Sequence, residues 1–165
     1  MNCEKSSERR PLATVFSMEI NRDAPVLGKA TIGIAARPER VWDVLTDIEA
    51  WPAWNPDVKS ARLSGGLAPG SEFRWKAGGV KIRSRLEEVD APRQIGWTGK
   101  TIGIKARHVY RLEAHPSGTR VASEESYDGW AATLFSGRMQ STLQAALDNG
   151  LLHLKAEAER SDRSR

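Results

Sequence analysis

From Asp57 to Tyr127 the chain alternates apolar and polar residues with a period of two, broken by SGG, APG, GG, DAPR and PSG. That period suits half-buried strands, and turn-forming clusters between short runs suit antiparallel connections, so the spacing predicts a meander of about six strands. On its N-terminal side, GKATIGIA (28–35) alternates in the same way and supplies a further strand. RPERVWDVLTDIEAW then changes to helical spacing, with Pro38 suited to a first helical turn and Val41, Leu45 and Ile48 on one stripe. After Asp128 and Gly129 the helical period returns, and Leu143, Leu147, Leu151 and Leu154 mark a helix of roughly 25 residues.

Strand alternation gives the sheet one apolar and one charged face. Phe73 and Trp75 oppose Glu72, Arg74 and Lys76, while Val80, Ile82, Ser84, Leu86 and Glu88 oppose Lys81, Arg83, Arg85 and Glu87. Further on, Ile102, Ile104, Ala106, His108, Tyr110 and Leu112 oppose Lys105, Arg107, Arg111 and Glu113. Val121, Ser123, Glu125 and Tyr127 then point inward. A sheet with one solvated face needs cover for the other, and the long last helix is the available cover.

At 165 residues the chain suits one core rather than two domains. The single cysteine, Cys3, excludes a disulfide or cysteine-cluster metal framework. MNCEKSSERR lacks the apolar region of a secretory signal, and no run approaches the roughly 20 apolar residues that span a bilayer. A cytoplasmic location is therefore expected.

The order of strand, two short helices, six-stranded meander and long C-terminal helix carries VWDVLTDIEAWPAWNPDV, GLAPGSEFRW and EESYDGW at its junctions. In these features the chain resembles the START-like superfamily, within it the SRPBCC polyketide cyclase/dehydrase branch. The resemblance spans residues 25–158, leaving 1–24 as a partly disordered leader and 159–165 as a flexible tail. It implies an α+β helix-grip fold, a seven-stranded curved antiparallel sheet around the long helix, with a deep cavity between them. The branch includes lipid carriers, hormone receptors and aromatase/cyclases.

The function this implies is binding or carriage of an apolar molecule, aromatic, polyketide-like or lipid-like, in that cavity. Phe73, Trp75, Ile82, Leu86, Trp97 and Ile104 on inward strand faces, with Leu134 and Met139 on the long helix, line it or fill it. Trp51 continues the Ile48 stripe into the core. Trp54, in a non-helical link between Pro52 and Pro56, is either a gate over the cavity or a cap on the core edge. Asn55 is a turn residue that bonds its own backbone.

His108, Tyr110, Ser123, Glu125 and Tyr127 are polar and inward on the last two strands, and antiparallel pairing across PSG brings His108 towards Glu125. An imidazole beside a carboxylate in a dry site can work as general acid and base on a ketone or enol, with Tyr110 assisting. Those three are the catalytic candidates of a cyclase or dehydratase alternative; a satisfied polar pair is the other reading. Arg138 either anchors an anionic group or is solvated.

Neither GxxxxGK[ST], HExxH nor GxSxG occurs, so no nucleotide, zinc or other cofactor is implied. The outer face collects Arg74, Lys76, Lys81, Arg83, Arg85, Lys105, Arg107, Arg111 and Arg120, consistent with the net charge of +4. Such a face suits either solvent or an acidic partner, which gives a third possibility, an adaptor. It lacks the interleaved aromatics of single-strand binders, so sequence-specific nucleic-acid binding is not expected.

Overall fold

The structure, a computed structural model, describes residues 17–162. Cys3, the rest of residues 1–16 and residues 163–165 lie outside them. The elements in chain order are β1 (Val26–Ile34), α1 (Pro38–Thr46), a 3-10 turn (Ile48–Ala50), α2 (Trp51–Trp54), β2 (Val58–Ser64), β3 (Glu72–Ala77), β4 (Val80–Asp90), β5 (Gln94–Thr101), β6 (Ile104–His115), β7 (Gly118–Asp128), α3 (Trp130–Leu134) and α4 (Ser136–Asp162). All seven strands form one antiparallel sheet in the order β1-β7-β6-β5-β4-β3-β2. This is the helix-grip fold, with the first strand closing onto the last and α4 against the inner face.

α4 owes its seat to one glycine and one leucine stripe. Leu143, Leu147, Leu151, Leu154 and Ala158 are buried along a single face. A Cβ at Gly28 would stand 2.7 Å from Leu147 Cδ1 and 2.9 Å from Leu143 Cγ, so only glycine lets the helix approach β1 this closely. Beside that contact, the free edge of β1 is taken up by side-chain amides. Leu27 N–H donates to Gln140 Oε1 at 3.1 Å, and Gln140 Nε2 donates back to the Leu27 carbonyl. One helical turn on, Lys29 N–H donates to Gln144 Oε1 at 3.3 Å and Gln144 Nε2 donates to the Lys29 carbonyl at 2.8 Å. Four residues of helix rise about 6 Å and two of strand about 6.6 Å, which is why the two repeats match.

The short helices close the other end of the inner face. Val41, Trp42, Val44 and Leu45 of α1 are buried, followed by Ile48 and Trp51. Trp51 belongs to the core, its indole N–H donating to the Leu45 carbonyl at 2.9 Å. WPAW is a turn of helix, not the non-helical link expected: Pro52 falls in its first turn, where a missing N–H costs nothing. The chain leaves helix at Asn55, whose Oδ1 accepts the Asp57 N–H at 3.1 Å.

Several inward assignments shift for local reasons. Val80, the first residue of β4, and Ile102, in the β5–β6 turn, are exposed, because the paired part of each hairpin ends beside them. A bulge between Leu86 and Glu88 turns Glu88 to the outer side, where it accepts the Met18 N–H at 2.6 Å and a Gln94 amide hydrogen at 2.7 Å. α3 is separate from α4, with Phe135 between them out of helical geometry, so Leu134 does not belong to the long helix.

The outer face is also less solvated than expected. Residues 17–24 lie across it, burying Ile20 and Ala24, and a Cβ at Gly96 would meet Met18 Sδ at 2.6 Å. Val109 and Ser126, on the same side, are fully buried. Arg111 bridges Glu19 and Glu124 at 2.7 Å each, and Lys29 reaches Glu124 at 3.2 Å. Burial alone would raise the Glu124 carboxyl; Lys29 and Arg111 outweigh it and hold it below its usual range. No described helix is long and apolar enough to cross a membrane.

Candidate functional site

Antiparallel register brings the inward polar residues of β6 and β7 into direct opposition: His108 pairs with Glu125, Tyr110 with Ser123 and Ala106 with Tyr127. His108 Nε2 lies 2.8 Å from Ser123 Oγ, and Tyr110 stands directly opposite the same serine. On its other side, His108 Nδ1 lies 3.4 Å from Glu125 Oε2 and has no hydrogen-bond partner of its own. Glu125 in turn sits between His108 and Gly28, its partner on β1, where α4 packs closest. The four residues form one polar chain on the inner face, with Tyr127 beside it on β7.

Burial sets the protonation of that chain. It pushes the His108 imidazole down to about 3 and the Glu125 carboxyl up to about 8, so at neutral pH both are uncharged and the pair holds Glu125's proton. Burial also raises Tyr110, to about 12, against the opposing effect of the facing Ser123 hydroxyl. Tyr127 is raised as well, by burial and by the nearby Glu125 carboxyl. His108 Nε2 and Ser123 Oγ share one hydrogen bond, which either can donate; Nδ1 and Glu125 Oε2, 3.4 Å apart, do not complete a second.

Aromatic rings surround this chain. His108 stacks on Tyr110 with centroids 4.6 Å apart and stands 4.8 Å from Trp97, which itself stacks on Tyr110 at 5.6 Å. Trp97 continues into Trp51 and Phe73 at 5.8 and 5.7 Å, and Trp51 meets Trp75 edge-on at 5.5 Å. Trp75 is fixed by its indole N–H, which donates to Ser84 Oγ at 3.0 Å. Ser84 is a buried residue of this site whose signal in the sequence is its inward position in the β4 alternation.

Phe73, Leu86, Trp97, His108, Ser123 and Glu125 are buried, while Trp54, Trp75, Ile82, Ile104, Tyr110, Tyr127 and Met139 are half-buried. Trp54 packs against the core with its Nε1 buried and unpartnered. Leu134, at the end of α3, and Arg138, in the first turn of α4, do not join this group: both are exposed. Two surface hollows, of about 620 and 250 Å³, open on the outer side of the sheet, one against Met18 and Glu88 and one against Lys29 and Arg111. Among the described residues no group of three or more His, Cys, Asp and Glu is placed to hold a metal ion.

Comparison with known proteins agrees with this architecture. A family profile described as "Polyketide cyclase / dehydrase and lipid transport" matches residues 26–159. No curated protein sequence matches the chain. Among solved structures, TTHA0849 from Thermus thermophilus superposes with a TM-score of 0.69 at 20% identity, over 82% of this chain and 98% of its own. A START superfamily protein from Mycobacterium smegmatis gives 0.63 at 17%, over 81% and 97%. The di-domain ARO/CYC BexL from the BE-7585A biosynthetic pathway gives 0.64 at 17%, over 81% of this chain and 48% of its own. At these identities the likeness is one of fold.

Proposed function

Because the chain belongs to the polyketide cyclase/dehydrase and lipid transport family, we propose that it binds an apolar, aromatic or lipid-like small molecule between the sheet and α4. The observation that carries this reading is a single polar chain, Tyr110–Ser123–His108–Glu125, set into an aromatic wall, with His108 Nδ1 left unpartnered. A ligand with an apolar body and one carbonyl or hydroxyl end meets both halves of that surface. Its body would lie on Trp75 and Trp97, and the half-buried Trp54, Tyr127 and Met139 would yield to admit it.

Native mass spectrometry of the gently purified full chain tests this. A discrete adduct above the polypeptide mass, lost on mild activation, is expected. A bare polypeptide that also takes up no added long-chain or polycyclic ketone would overturn it.

A second reading is favoured by the protonation state of the pair. A neutral imidazole and a protonated carboxyl 3.4 Å apart are a base and an acid held ready together. On a β-hydroxy ketone, His108 would take the proton α to the carbonyl while Glu125 protonates the departing hydroxyl, which leaves as water. The resulting imidazolium and carboxylate reset by passing one proton from His108 to Glu125. Loss of dehydration in His108→Ala, with ligand uptake and a cooperative unfolding transition retained, is the expected result; full turnover in that variant removes the enzyme reading and leaves the carrier.

A further inference from the structure

Of the six large apolar side chains exposed among the described residues, five lie at one end of the molecule: Val80, Ile102, Trp130, Leu134 and Phe135. Topology puts them together. β3 rises into the β3–β4 turn and β5 into the β5–β6 turn, while β7 rises into α3, so all three connections share one end of the sheet. Arg83 pairs with Lys100, and continuing that register past the last pair brings Val80 level with the β5–β6 turn. Trp130 lies over that same turn: a Cβ at Gly103 would stand 2.6 Å from its ring, and Ala131 N–H donates to the Gly103 carbonyl at 3.1 Å. Ile102, at the tip, is 87% exposed, and Trp130 beside it 63%.

Immediately behind the tips the charges are wrong for a bare sheet. Lys76 is directly opposite Lys81, and Lys100 is directly opposite Lys105. Like charges in that position destabilise a strand pair, and none of the four lysines forms an ion pair among the described residues. Arg138 adds an exposed cation in the first turn of α4. At the same end, the Asp128 carboxylate is occupied by the Asn21 amide at 2.9 and 3.1 Å. Apolar side chains on separate projecting turns, with cations set back behind them, match the depth profile of a lipid surface: acyl boundary first, anionic headgroups next. A folded protein partner would instead favour a continuous closely packed patch.

We propose that this end of the molecule docks on an anionic lipid surface, with Ile102, Trp130 and Phe135 entering the acyl boundary and Lys81, Lys100 and Lys105 meeting the headgroups. The docked end is also the one from which the inner polar chain is nearest, with Tyr127 one step above the His108–Glu125 pair. The inference does not depend on what the interior binds.

Flotation of the full chain with vesicles of phosphatidylcholine, and of phosphatidylcholine with an equal part of phosphatidylserine, tests it. The protein floats with the anionic vesicles at low salt and is released as salt rises. Ile102→Ser with Trp130→Ser lowers the bound fraction about tenfold, and Lys100→Glu with Lys105→Glu does likewise. Should the double apolar variant fail to fold, Ile102→Ser alone serves, since that side chain is almost wholly in solvent. Absence of binding to the anionic vesicles overturns the proposal, as does unchanged binding by the folded apolar variant. Concentration-dependent dimerisation lost in Trp130→Ser, without vesicle binding, overturns it too and assigns the patch to a second copy of the chain.

Discussion

His108 and Glu125 stand directly opposite one another on β6 and β7, with Nδ1 3.4 Å from Oε2, and are only 6% and 9% exposed. Two ionisable groups placed this close in a dry interior either share charge or both stay neutral, and burial here selects neutrality.

Stability should therefore peak in weak acid. Glu125 keeps its proton to about pH 8 in the folded chain against an ordinary 4.5, so its contribution is full below pH 4.5 and lost as pH rises through 8. His108 is displaced the other way, so its contribution is full above pH 6.5 and lost as pH falls towards 3. The thermal midpoint is expected to be highest between about pH 4.5 and 6.5. Glu125→Gln should flatten the alkaline limb, gaining on the order of 1–3 kcal/mol relative to the parent near pH 9; an unaltered alkaline limb would show that Glu125 titrates normally.

Ser123 joins the two halves of the polar chain. Ser123→Ala leaves His108 Nε2 unpaired, at a cost of about 1–3 kcal/mol by chemical denaturation. Ser123→Thr, which keeps the hydroxyl, should recover most of it. If the chain carries protons in a reaction, Ser123→Ala also lowers kcat while leaving KM nearly unchanged.

Carrier and enzyme part company at Trp75. For a carrier, Trp75→Ala weakens uptake of an apolar ligand about tenfold, more than His108→Ala does, because the ring supplies contact area and the imidazole one hydrogen bond. Isothermal titration with a ligand identified by mass would decide it. A larger loss in His108→Ala would make the polar end the dominant contact.

Gly28→Ala drives a methyl group into Leu143 and Leu147 and should destabilise the fold by about 1–3 kcal/mol. Combined with Leu147→Ala, which removes one colliding side chain, the added glycine-site penalty should shrink. Strict additivity of the two losses would contradict the close approach.

The β2–β7 meander, the His108–Glu125 juxtaposition and the α4 stripe are legible because each follows from a period and a turn position, whereas the pairing of β1 with β7 follows from neither. The displaced assignments share a different cause. Glu88 moved because a bulge consumes one residue without altering composition, and Leu134 moved because helical spacing continues across Phe135 although the backbone does not. The cover over Val109 comes from residues 17–24, which carry no periodic signal and read equally well as leader. Trp54 looks like part of a link in the sequence because prolines on either side resemble helix breakers, whereas Pro52 starts a turn.

The amides of Gln140 and Gln144 bear on how copies of this protein meet. A border strand with free N–H and C=O groups is a template on which another chain can extend the sheet, and repeated extension produces fibres. On β1 the groups of Leu27 and Lys29 that would guide such growth already have partners from the chain's own helix. Assembly by strand addition is thereby blocked along that side, not by charge repulsion but by prior occupation.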